Sequence, residues 1–179
     1  MGLYKRELRV RRGGRQAEEV ADLLGVPASS TSLAFLSAAR ALGLKRVAVA
    51  ATYPQDLAGA FRSFLNEGGV EVLHLGCLGI WTGGEVGRMG QEELLGFALA
   101  NDHPDADAVL IPDTALHTAA FLPELESRLG KTVLTANQVT VWEALRLAGR
   151  LTPQSGLGRV DGGRGRTQRA RREPYGQTD

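Results

Sequence analysis

Cysteine is nearly absent: Cys77 is the single thiol in 179 residues, so neither an internal disulfide frame nor a thiolate metal cluster can form. Histidine is scarce as well. His74, His103 and His117 are scattered without metal-ligand spacing, and no metal is expected. No apolar run reaches the length that spans a bilayer, and "MGLYKRELRVRRGG" lacks the apolar stretch of a signal peptide. A reduced, cytoplasmic setting with no membrane partner is the expectation. A phosphate-cradling loop is also lacking. The nearest glycine pattern, "GLGRVDGG", follows no strand, opens no helix and has no P-loop lysine, which argues against nucleotide binding.

What is present is an ordinary globular composition, 43% hydrophobic and 23% charged. The net charge of +1 hides an uneven layout. Residues 151–179 hold six arginines against Asp161, Glu173 and Asp179, which leaves 15 basic and 17 acidic groups in the first 150, from totals of 21 and 20. The organisation expected is a basic N-terminal extension over 1–25, an α/β domain over 26–150, and a disordered Gly/Arg-rich tail over 151–179. The tail has a sharp reading as an RNA-binding arm and a plain one as a solvated extension. The mildly acidic body favours the plain one, so nucleic acid ranks last among partners.

Between Ser30 and Gly149, short apolar runs alternate with helical patterns. Strands are predicted over 46–52, 70–76, 106–112 and 131–136. Helices are predicted over "TSLAFLSAARALG", "QDLAGAFRSFLNEGG", "MGQEELLGFALAND", "AAFLPELESRLG" and "QVTVWEALRLAG", with one short helix at Gln16–Leu24 before them. Strands that each lead into a helix, without alternation of polarity, predict a flavodoxin-like, doubly wound parallel sheet of about four strands.

In such a sheet the ligand site lies beyond the carboxyl ends of the strands. Those ends carry Thr52–Tyr53–Pro54, the loop after the second strand with Trp81 and Gly83, Pro112–Asp113–Thr114, and Thr135–Ala136–Asn137–Gln138. Hydroxyls, amides, one tyrosine and one carboxylate beside helix N-termini suit a small carboxylate. Each residue also has a plainer use. Asp113 or Thr114 would serve as the cap of a following helix, and His117 as an exposed residue of its first turn. Tyr53 would serve as a rim aromatic, Asn137 with Gln138 as a second cap, and Cys77 as an inert buried thiol.

Two stretches decide the family expected. "GVPASSTSLAFLSAARALGLKRVAVAATYPQDLAGAFRSFLNEGGVEV" and "LESRLGKTVLTANQVTVWEALRLAG" resemble the second half of the aspartate/glutamate racemase superfamily, in its maleate cis-trans isomerase and arylmalonate decarboxylase branch. The resemblance covers about residues 25–150. It implies one of two similar α/β halves with the active site in the cleft between them, no cofactor, and carboxylates held by backbone N–H groups with Ser, Thr, Asn and Tyr side chains.

Two departures from that pattern bear on chemistry. Asp113 occupies the place of a catalytic cysteine, and Gly83 stands near the place of an asparagine. An aspartate moves protons, but it cannot replace a thiolate that attacks an alkene. The family's first half also has no counterpart before Val26, a stretch too short and too basic to supply it.

The resemblance therefore implies a cofactor-independent decarboxylase or racemase/isomerase acting at the carbon next to a carboxylate. Asp113 is the acid/base, His117 its assistant, and Thr52, Tyr53, Thr114, Thr135 and Asn137 are the substrate contacts. The alternative is a non-catalytic remnant or carboxylate-binding half-module that takes a partner chain. Apolar surface left uncovered in either case predicts self-association into a homo-oligomer.

Overall fold

The computed structural model describes residues 3–152 and 158–160, with side chains from Gly13 onward. Four strands, β1 (Arg46–Ala51), β2 (Glu71–Cys77), β3 (Ala108–Ile111) and β4 (Thr132–Thr135), form one parallel sheet in the order β2-β1-β3-β4. The helices are α1 (Leu3–Leu24), α2 (Thr31–Leu42), α3 (Gln55–Glu67), α4 (Gly83–Val86), α5 (Gln91–Ala100), α6 (Leu122–Leu129) and α7 (Ala136–Leu147). This is the doubly wound architecture that the sequence predicts.

Strand periodicity sorts the core into two layers. Val47, Val49 and Ala51 of β1 face one side, where Phe35 of α2, Phe61 and Leu65 of α3, and Trp142 of α7 close over them. Ala48 and Ala50 face the other, against Leu94 and Leu95 of α5 and Leu122 and Leu125 of α6. Every residue of β1 after Arg46, and all of β3 and β4, is buried, as strands covered on both faces must be. Two chain reversals depend on glycine: Gly43 after α2 and Gly130 after α6 sit at φ +71° and +67°, in the left-handed region. Among the described residues no helix is long and apolar enough to cross a membrane.

Four local expectations change. The N-terminal helix runs from Leu3, not Gln16, and continues through Gly13 and Gly14 with no proline before Gly25 to break it. The loop after β2 contains a short helix, α4, whose N-cap Thr82 accepts the Glu85 N–H. No helix follows Asp113 directly: a turn occupies 114–116, a 3-10 turn spans Ala119–Phe121, and α6 begins only at Leu122 with Pro123 in its first turn. Asp113 and Thr114 are therefore not helix caps, and His117 is not in a first helical turn. Lastly, residues 158–160 return to the body. Val160 is buried in the first core layer, and the Arg159 N–H donates to Glu126 Oε1 at 3.2 Å. The domain boundary expected at residue 150 thus leaves out a core residue. The rest of the expected tail lies outside the described residues, apart from Leu151 and Thr152.

Candidate active site

The order of the strands reverses direction between β1 and β3, and ligands of such sheets collect at that switch point. Thr52 and Asp113 follow those two strands. Thr52 is fully buried and donates its hydroxyl to Asp113 Oδ2. The Ala115 N–H donates to Asp113 Oδ1 at 2.8 Å, closing an Asx turn. One carboxylate is thus held from its own loop and from the neighbouring strand.

Asp113 opens on a cavity of about 260 Å³ with Thr31, Ser32, Tyr53 and Thr114 among its walls. Phe35 and Phe61, in edge-to-face contact at 5.4 Å, form its aromatic side. Thr31 and Ser32 come from the first turn of α2, which Ser30 caps by accepting the Leu33 N–H at 3.3 Å. The free N–H groups of that turn give the wall a positive bias. Tyr53 is half-buried. Burial first, and then the negative charge of Asp113, pushes its phenol above the ordinary value, so it keeps its proton and stays a hydrogen-bond donor at any physiological pH.

The other expected residues take different places. Thr114 is exposed and lines the cavity beside Asp113. Thr135 is buried at the N-cap of α7, its N–H donates to Gln138 Oε1 at 3.2 Å, and it is not among the walls of the cavity. Asn137 sends both donors of its amide into the loop after β3, to Thr114 O at 3.1 Å and Leu116 O at 3.2 Å. His117 is exposed, and no hydrogen bond joins it to Asp113 or to any other described residue. Cys77 is half-buried at the end of edge strand β2, against the first core layer.

Thr31 and Ser32 are the wall residues that sequence reasoning did not single out. Their signal was the hydroxyl run Ser29–Ser30–Thr31–Ser32, which reads as a helix start and nothing more until α2 is folded against β1. A larger cavity, about 590 Å³, lies between the start of α2 and α7. Its one carboxylate, Glu143, already accepts from Ser29, Ser37 and Arg146.

Known proteins resemble this chain in sequence and in fold. The family model "Arylmalonate decarboxylase" matches residues 13–161. The arylmalonate decarboxylase of Bordetella bronchiseptica is 34% identical over 129 residues, 70% of this chain and 53% of the relative. The maleate isomerase of Geobacillus stearothermophilus is 28% identical over 121 residues, 67% of this chain and 48% of the relative. Among solved structures, a liganded double mutant of arylmalonate decarboxylase superposes with a TM-score of 0.79 at 30% identity, covering 87% of this chain and 69% of the other. The maleate isomerase Iso of Pseudomonas putida shares the fold, with a TM-score of 0.78 at 24% identity over 84% of this chain and 63% of that one. The chain spans about half the length of the curated relatives it matches. With the matching model extending over most of its residues, the chain belongs to the arylmalonate decarboxylase family.

Proposed function

We propose that this chain carries a cofactor-independent proton-transfer site for small carboxylic or dicarboxylic acids, of the decarboxylase or racemase/isomerase kind. The observation that carries the reading is the placement of Asp113. It is an acid/base group at the switch point, held by Thr52 and the Ala115 N–H and open to a cavity with hydroxyl walls. The substrate carboxylate meets Thr114, Ser32, the protonated Tyr53 and the positive end of α2. The carbon beside it faces Asp113, which takes up its proton to leave an enediolate and then returns it. In decarboxylation the C–C electron pair stays on carbon as carbon dioxide leaves, and it takes a proton that Asp113 has first drawn from solvent. His117, exposed on the same loop, is the proposed proton relay to solvent, and the single thiol suits a reducing cytoplasm.

The test is deuterium exchange and decarboxylation, followed by NMR in heavy water over a panel of small dicarboxylates and arylmalonates, with Asp113→Asn as control. Exchange that vanishes in the folded mutant supports the reading. No turnover from a folded chain that still binds the acids overturns it in favour of the half-module.

One observation favours that second reading. Trp81, on the loop after β2, is 78% exposed, and Leu78 of the same loop is 41% exposed, apolar surface suited to a covering chain. Sedimentation that shows a monomer at all concentrations would remove it.

A further inference from the structure

Asn137 stands where a substrate contact was expected, yet the chemistry of its amide is already committed. A carboxamide has two N–H bonds, and both of those on Asn137 point to main-chain carbonyls of the loop after β3, Thr114 O at 3.1 Å and Leu116 O at 3.2 Å. What remains is its carbonyl oxygen, an acceptor, which repels a substrate carboxylate rather than binding it. The residue between the two clamped carbonyls is Ala115, whose N–H donates to Asp113 Oδ1.

We infer that Asn137 is a positioning residue: it pins the 114–116 turn from the start of α7 and so sets the orientation of the Asp113 carboxylate. The inference rests on the role proposed for Asp113. Three strand ends then bear on one carboxylate: Thr52 from β1 and the turn that follows β3 bond it directly, and Asn137, from the start of α7 after β4, acts through that turn. The clamp works without touching substrate. It replaces the conformational freedom of a loop that no helix supports, since nothing helical begins before Ala119.

Asn137→Asp separates this role from support of α7. Asn137 is the second residue of that helix, where an acidic side chain favours the helix through its dipole. The same change turns both donors into acceptors facing carbonyls. Asn137→Ala removes the donors without adding charge. The readout is amide hydrogen exchange on the full chain, at Ala115 and, as reference, at Leu134 and Val139.

The expected result is exchange at Ala115 faster by about tenfold or more in both variants, with the two reference amides unchanged. Where the chain turns over, kcat falls and KM for the carboxylate stays within about twofold, the mark of lost orientation rather than lost binding. Unchanged protection at Ala115 in both variants overturns the inference. So does a raised KM with Ala115 still protected, which returns Asn137 to substrate binding. If the wild-type chain shows no turnover, the role proposed for Asp113 fails, while the exchange at Ala115 still decides whether Asn137 holds the turn.

Discussion

Thr52 and Asp113 are hydrogen-bonded to each other across the switch point of the sheet, the hydroxyl at the end of β1 donating to the carboxylate at the end of β3. The two residues are 61 positions apart in the chain, and each is worth little to the site alone. Thr52 is buried and is not among the walls of the cavity that Asp113 lines, whereas Asp113 without it would be tethered only by its own turn.

Thr52→Val keeps the volume and removes the donor. A lost hydrogen bond to a charged acceptor costs about 2 kcal/mol, read in urea unfolding. Heavy-water exchange of bound acids slows in the same variant, and Thr52→Ser restores most of both.

Glu143 ties the start of α2 to α7 by accepting from Ser29, Ser37 and Arg146. Its side chain is 6% exposed and that of Arg146 43%, so Arg146 regains water when its partner is removed. Glu143→Ala should therefore destabilise by about 2 kcal/mol, less than breaking a fully buried pair. Glu143→Gln keeps the serine contacts and loses less than half of that, checked by the same unfolding curves.

Burial alone would raise the Glu143 carboxyl, but hydrogen bonds from Arg146, Ser37 and Ser29 outweigh it and hold the group below the ordinary value. A group depressed in the folded state stabilises fully above its unfolded pKa, and that share is lost as pH falls through the folded one. The stability difference between wild type and Glu143→Gln should accordingly be constant near neutrality and shrink below about pH 4, the ordinary carboxyl range. Asp107, held low by the N–H groups of Arg46 and Lys45, adds acid sensitivity of the same sign. Unfolding midpoints across pH 3–7 (about that span, set by the carboxyl pKa range) check both.

Gly76 packs against Asn101 so closely that an added Cβ would lie 1.6 Å from its Oδ1. Gly76→Ala must expel Asn101, which breaks its bonds to His74 Nε2 and Phe97 O. The expected cost is about 2 kcal/mol. A second change, Asn101→Ala, should recover part of it, a non-additivity that a double-mutant cycle measures.

Val160, 6% exposed, makes the described part of the C-terminal segment structural. Val160→Ala should cost about 1–2 kcal/mol in unfolding experiments. A chain cut after Thr152 should lose at least as much.

The elements that could be read from the sequence are those that local chemistry governs. Strands β1 and β3 were legible because parallel strands buried on both faces are apolar throughout, as in "VAVAA" and "VLI". The helices over α2, α3 and α7 were legible from periodicity and from glycines placed to end them. Asp113 as the central candidate followed from its place at a strand end and from the resemblance of its surroundings to one family.

What only the tertiary structure decided is who touches whom, because hydrogen bonds between strand ends depend on sheet order and not on distance along the chain. The order β2-β1-β3-β4 puts Thr52 on Asp113 and the hydroxyls of Thr31 and Ser32 in the same cavity. It also buries Thr135, turns Asn137 toward a loop, leaves His117 in solvent and draws Val160 into a core that its Gly/Arg-rich surroundings do not announce. Residue type and pattern determined the layers and the candidate acid/base group. The packing of the layers, which sequence neighbours cannot sense, determined the function left to each side chain.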